Sequence, residues 1–104
     1  MEQYKILLTD PAEADLDAIT QYIAVKLSAP AAALNLADAF DAAFDDLEDM
    51  PEKYQLVQDE RLAAMGYRKR SVKNYFVFFT IDEINHVVYV ERLLHSRRNW
   101  QNIL

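Results

Sequence analysis

The 104-residue chain has no cysteine, one glycine, three prolines, one tryptophan and two histidines. Without cysteine there is no disulfide framework, no thiolate metal site and no cysteine nucleophile. His86 and His95 alone are too few for a histidine-rich metal cluster, so neither a metal nor a cofactor is expected. No run approaches the ~18–20 apolar residues of a membrane-crossing helix. The opening residues lack the charged-then-apolar pattern of a secretory leader, so a cytoplasmic protein without a membrane partner is expected. No linker, repeat or low-complexity tract divides the chain, and its length suits a single domain over 1–104. A glycine-rich phosphate loop, a serine nucleophile elbow and a paired-histidine zinc motif are also missing.

What is present is charge, unevenly distributed. The formal net charge is −6, yet residues 1–60 carry three bases against fourteen acids, and residues 61–104 carry eight bases against three acids. The average therefore hides a basic C-terminal part with its own electrostatic footprint.

Gln3 to Thr9 alternates as a strand. Asp10, Pro11 and Glu13 then read as the N-cap, first position and capping-box acid of a helix. Its apolar stripe is Ala12, Leu16, Ile19, Ile23 and Leu27. After Ser28 to Pro30, an alanine-rich second helix carries the stripe Ala33, Leu36, Phe40, Phe44 and Leu47, ending by Met50 and Pro51. The short link predicts an antiparallel helical hairpin. Residues 52–66 read as a turn, a loop or a short helix at Glu60 to Ala64, with Gly66 supplying a positive-φ turn.

Three strands come next: basic Tyr67 to Val72, apolar Tyr75 to Ile81, and Val87 to Leu94. Asn74 is expected to take the left-handed position of the first turn. The segment from His95 to Leu104 closes as a short helix or turn. The order β-α-α-β-β-β makes an α+β fold, a helical hairpin packed on a mostly antiparallel four-stranded sheet.

The densest candidate site is Arg68, Lys69, Arg70 and Lys73. Alternation puts Arg68 and Arg70 on one face and Lys69 and Lys73 on the other. Such crowded cations suit a phosphate backbone, an acidic protein partner, or simply a solvated edge strand. The second candidate is Arg92, His95, Arg97 and Arg98. A histidine among arginines can move a proton near neutral pH while the arginines stabilise phosphate charge. Equally, His95 can cap the strand end by bonding backbone. Trp100 can stack on a base or pack the last turn onto the core. Helix two's acidic stripe reads as a solvated face.

Taken together, Tyr4 to Ile19 with Tyr22 and Ile23, Leu47 to Pro51, Gly66 to Arg68, Val72 to Phe79 and Val90 to Arg98 resemble the RelE/ParE toxin superfamily. The resemblance runs in one order over nearly the whole chain and implies the same β-α-α-β-β-β fold. It further implies the toxin of a type II toxin–antitoxin module, whose cognate antitoxin folds a disordered segment over it in a hetero-oligomer.

RelE-like members cleave mRNA on the ribosome without metal, and ParE-like members poison DNA gyrase. The nuclease branch would use His95 as general acid, with Arg68, Arg70 and Arg97 on phosphate. Lys69, Lys73, Arg92, Arg98 and Trp100 would then contact RNA. Phe76 stands where many such nucleases carry arginine, and Trp100 near where many carry tyrosine, two departures from that branch. On the match of Arg68, Arg70 and His95 the chain is read as a ribosome-dependent endoribonuclease. A gyrase poison is the alternative, and a degenerate member that only binds its antitoxin is the third reading.

Overall fold

A computed structural model describes residues 3–104. Strand β1 (Lys5–Leu8) leads into helix α1 (Asp10–Gln21), and helix α2 (Pro30–Asp46) returns beside it. A short helix α3 (Glu60–Ala64) precedes β2 (Arg68–Val72), β3 (Tyr75–Asp82) and β4 (Val87–His95), and α4 (Trp100–Ile103) ends the chain. The sheet order is β1-β4-β3-β2, with β1 parallel to β4 and the other pairs antiparallel. The α+β architecture is as the sequence implies, and of the three readings open for residues 52–66 the short helix at Glu60 is found.

Helix α1 is capped by Thr9, one residue earlier than the Asp10 expected. The Thr9 hydroxyl accepts the Ala12 amide and donates to the Glu91 carbonyl, so one side chain starts the helix and ties it to β4. Threonine wins because its backbone, just past β1, is still extended, as an N-cap must be.

The helix also does not run regularly to Leu27. Tyr22–Lys26 widen into a π turn, closed by the Leu27 amide on the Tyr22 carbonyl at 3.2 Å. One extra residue rotates the remaining side chains by roughly 100°. Leu27 leaves the stripe and stands 56% exposed. Helix α2 keeps its whole stripe: Ala33, Leu36, Phe40, Phe44 and Leu47 are all buried. It ends at Asp46, before Met50 and Pro51, and Pro51 begins a separate 3-10 turn.

Strand β3 is packed on both faces from Phe76 to Phe79, which is why that stretch is wholly apolar. Val77, Phe79, Val88, Val90 and Leu93 pack under α1 and α2. Phe78 and Leu94 pack on the opposite side with Val57, Leu62, Trp100 and Ile103. A bulge makes this possible: Phe78 pairs Arg92 while Phe79 pairs Val90, leaving Glu91 as the extra residue. The parity of β4 flips there, so Val90 and Leu93 share a face three residues apart.

The β2–β3 turn corrects a detail. Lys73, not Asn74, takes the left-handed conformation, at φ +52°. Gly66 sits at φ +88°, as its position before β2 requires.

Candidate functional site

The cations of β2 divide between the two faces of the sheet. Arg68 reaches the segment that follows α2, and Arg70 reaches both that segment and the C-terminal end of α2. Arg68 Nη1 donates to the carbonyls of Tyr54 at 2.7 Å and Glu52 at 3.3 Å. Arg70 Nε donates to the Tyr54 hydroxyl at 2.9 Å and to Asp46 Oδ2 at 3.4 Å. Asp46 is the hub, also receiving the Tyr54 hydroxyl and, at 2.9 Å, Lys53 Nζ. The Tyr54 hydroxyl, then Lys53 and Arg70, hold its carboxyl below the ordinary aspartate range. A carboxylate at a helix C-terminus opposes the helix dipole, and these cations offset that repulsion.

Lys69 lies on the opposite face. Its ammonium stands 4.3 Å from the Phe76 ring centre and 5.3 Å from that of Trp100. Trp100 is itself packed on Phe78, with ring centres 5.2 Å apart, so it holds α4 onto the sheet. Lys73 does not join Lys69 as alternation implied. Its left-handed backbone puts it on the helix side, lining a cleft with Tyr22, Asn35 and Tyr75.

Arg92 is gripped by Asp15 of α1, through Nε to Oδ2 at 2.7 Å and Nη2 to Oδ1 at 2.9 Å. Asp15 Oδ2 also accepts the Leu93 amide at 3.0 Å. Strand β1 stops at Leu8, so β4 beyond Val90 has no parallel neighbour. Thr9 and Asp15 satisfy its backbone instead.

His95 turns toward the helices and packs edge-on against Tyr75, with ring centres 5.3 Å apart. Its Nδ1 accepts the Arg97 amide at 3.1 Å, the backbone-capping arrangement. It stands between two clefts that share Tyr22, Tyr75 and His95. One, of about 380 Å³, adds Asp15, Ile19 and Arg98. The other, of about 470 Å³, adds Lys73, Asn35 and Leu36. Burial pushes the Tyr75 phenol above its usual range and keeps it neutral. His95 thus shares clefts with Lys73 and Arg98. Arg68, Lys69, Arg70 and Arg92 line neither, and Arg97 is exposed beyond them.

The family model described as "ParE toxin of type II toxin-antitoxin system, parDE" matches residues 6–100. The chain belongs to the ParE toxin family. A chain from the chromosomal ParDE toxin–antitoxin system of P. aeruginosa superposes with a TM-score of 0.72 at 18% identity, over 89% of this chain and 96% of that one. A chain of the toxin–antitoxin complex RelBE2 from Mycobacterium tuberculosis gives 0.64 at 21% identity, over 89% and 98%. These likenesses show the RelE/ParE fold. No curated protein matches the chain.

A further local feature is the surface beside His95. The π turn leaves Tyr22, Val25 and Leu27 exposed by 57%, 69% and 56%. Lys26, Lys73 and Arg98 surround them with no ion-pair partner among the described residues. Sequence reasoning missed Tyr22, Asp15, Asp46 and Tyr54. Nothing local marks them, since each acts on residues distant in the chain or depends on the π turn.

Proposed function

We propose that this protein is a growth-arresting toxin that binds DNA gyrase and poisons it, with no nuclease chemistry of its own. The ParE family match over residues 6–100 carries this reading. The geometry supports it. Of the residues a nuclease would use, Arg68 and Arg70, meant for phosphate, are occupied by carbonyls, Tyr54 and Asp46, and His95, meant as general acid, spends Nδ1 on backbone.

A cognate antitoxin is the second partner proposed. An apolar and acidic segment would bury Tyr22, Val25 and Leu27 while meeting Lys26, Lys73 and Arg98. The two form a toxin–antitoxin hetero-oligomer.

Ribosome-dependent mRNA cleavage stays as the second reading because His95, Lys73 and Arg98 do line adjoining clefts. There His95 would protonate the leaving oxygen and the cations would hold phosphate. One experiment separates the two. On expression, gyrase-dependent DNA breaks with intact reporter mRNA are expected. Codon-linked cuts found by primer extension, abolished by His95→Gln, would overturn the gyrase reading.

A further inference from the structure

The second face of the sheet is covered over only part of its width. Helices α3 and α4 lie over Phe76, Phe78 and Leu94. The same face continues toward β1 as the cross-strand row Leu7, Tyr89 and Thr80. Here lies an open groove of about 640 Å³, floored by Tyr89 and Thr80 and walled by Tyr67 and Met65 on one side and by Ile84 on the other. Met65 is 57% and Ile84 95% exposed.

The groove is acidic. Asp82, Glu83 and Glu91 line it, and none forms an ion pair among the described residues. Their hydrogen bonds come from neutral groups: Asn85 on Asp82, the Thr80 hydroxyl on Glu91, and on Glu83 the Tyr4 hydroxyl, which it shares with the Glu52 carboxylate. Of the bases near the groove, Lys5 lies one row further along β1 opposite Val87, and Arg92, next to Glu91, is taken up by Asp15. Three carboxylates around an apolar floor leave a negative field that a bound cation would relieve.

Ile84 is also presented rigidly. Asp82 accepts the Asn85 amide at 3.0 Å and the Asn85 side chain at 2.9 Å. Glu83 is held by Tyr4 at 2.7 Å. The turn between β3 and β4 is thus braced from both sides, with its one apolar side chain at the tip. A braced apolar side chain loses little conformational freedom on binding, which is what an interface anchor requires.

We infer that this face docks a partner protein through a basic segment, whose apolar side chains seat on Met65, Tyr89 and Ile84 and whose lysines or arginines meet Asp82, Glu83 and Glu91. The surface faces away from the clefts at His95, so it does not compete with an antitoxin held there. The inference goes beyond the gyrase reading and does not depend on it.

The test is an NMR titration of the full chain with a short acetylated peptide of alternating lysine and leucine, beside its glutamate–leucine counterpart. Shifts confined to Met65, Tyr67, Thr80, Ile84 and Tyr89 are expected with the lysine peptide and none with the glutamate peptide. Binding should weaken as salt is raised. Ile84→Ser should weaken it roughly tenfold with an unchanged thermal midpoint, because the side chain is already in solvent. Glu91→Gln, which keeps an acceptor for Thr80, should weaken it a few-fold, within about tenfold. Shifts spread along Asp38, Asp41 and Asp45 of α2 would overturn the inference. So would equal binding of the glutamate peptide, or an Ile84→Ser chain that binds as well as the parent.

Discussion

Asp15 on α1 closes a two-pronged ion pair on Arg92 of β4 while accepting the Leu93 backbone amide. The side chains are 15% and 27% exposed, so the pair is shielded from water on most sides. It docks the first helix where the parallel strand has run out. Asp15→Ala would leave a partly buried guanidinium and an unpaired amide. It is expected to cost about 2 kcal/mol in urea unfolding, and Asp15→Asn, which keeps an acceptor for Leu93, about half of that.

Stability should fall in acid through Asp46. Its folded carboxyl lies below the ordinary 3.8 because Tyr54, Lys53 and Arg70 bond its charged form. A lowered pKa contributes fully above the unfolded value and is lost as pH falls through the folded one. The thermal midpoint should therefore hold at pH 5 and decline below about pH 4. Glu52 and Asp82, both also lowered, act in the same direction. Asp46→Asn should flatten part of that decline, and calorimetry at several pH values reads it. An unchanged slope would show that the hub is electrostatically idle.

The single tryptophan makes α4 visible. Trp100 packs on Phe78 under the Lys69 ammonium. Its fluorescence should shift to the red when Phe78→Ala removes its platform. Lys69→Ala, which removes only the cation and its stem, should shift it less. Trp100→Ala itself is expected to cost about 1–3 kcal/mol, since the ring is only partly buried. A red-shifted parent spectrum would mean that α4 is undocked in solution.

Two left-handed residues give opposite signs. Gly66 has φ +88° and open space where a Cβ would go, so Gly66→Ala should cost about 1 kcal/mol through backbone strain alone. Met50 has φ +53° and is 58% exposed. Met50→Gly should relieve strain and leave stability level or up to about 1 kcal/mol higher. Denaturant midpoints of the two variants decide both.

Much of the fold is legible in sequence because it rests on local periodicity. The stripe from Ala33 to Leu47 recurs at helical spacing, and all five residues are buried. The apolar run of β3 reads as a strand covered on both faces, and is one from Phe76 to Phe79, while Thr80 opens onto the groove. The π turn at Tyr22 is different. A widened turn uses the same residues as a regular one, and only packing selects it. The bulge at Glu91 is equally silent, though it decides which of Arg92, Leu93, Leu94 and His95 face the helices.

Sequence alone determined the toxin superfamily, the element order and the split of charge between the acidic helices and the basic strands and tail. Residue types along the chain suffice for these, and no long-range contact is needed to read them. Tertiary structure decided which cations are available. Arg70 meets Asp46 across 24 residues and Arg92 meets Asp15 across 77, so two of the cations that looked ready for phosphate are committed inside the fold. Lys73 and Arg98 remain beside His95. An ion pair depends on distance in space, and that distance exists only once the helices have closed over the sheet.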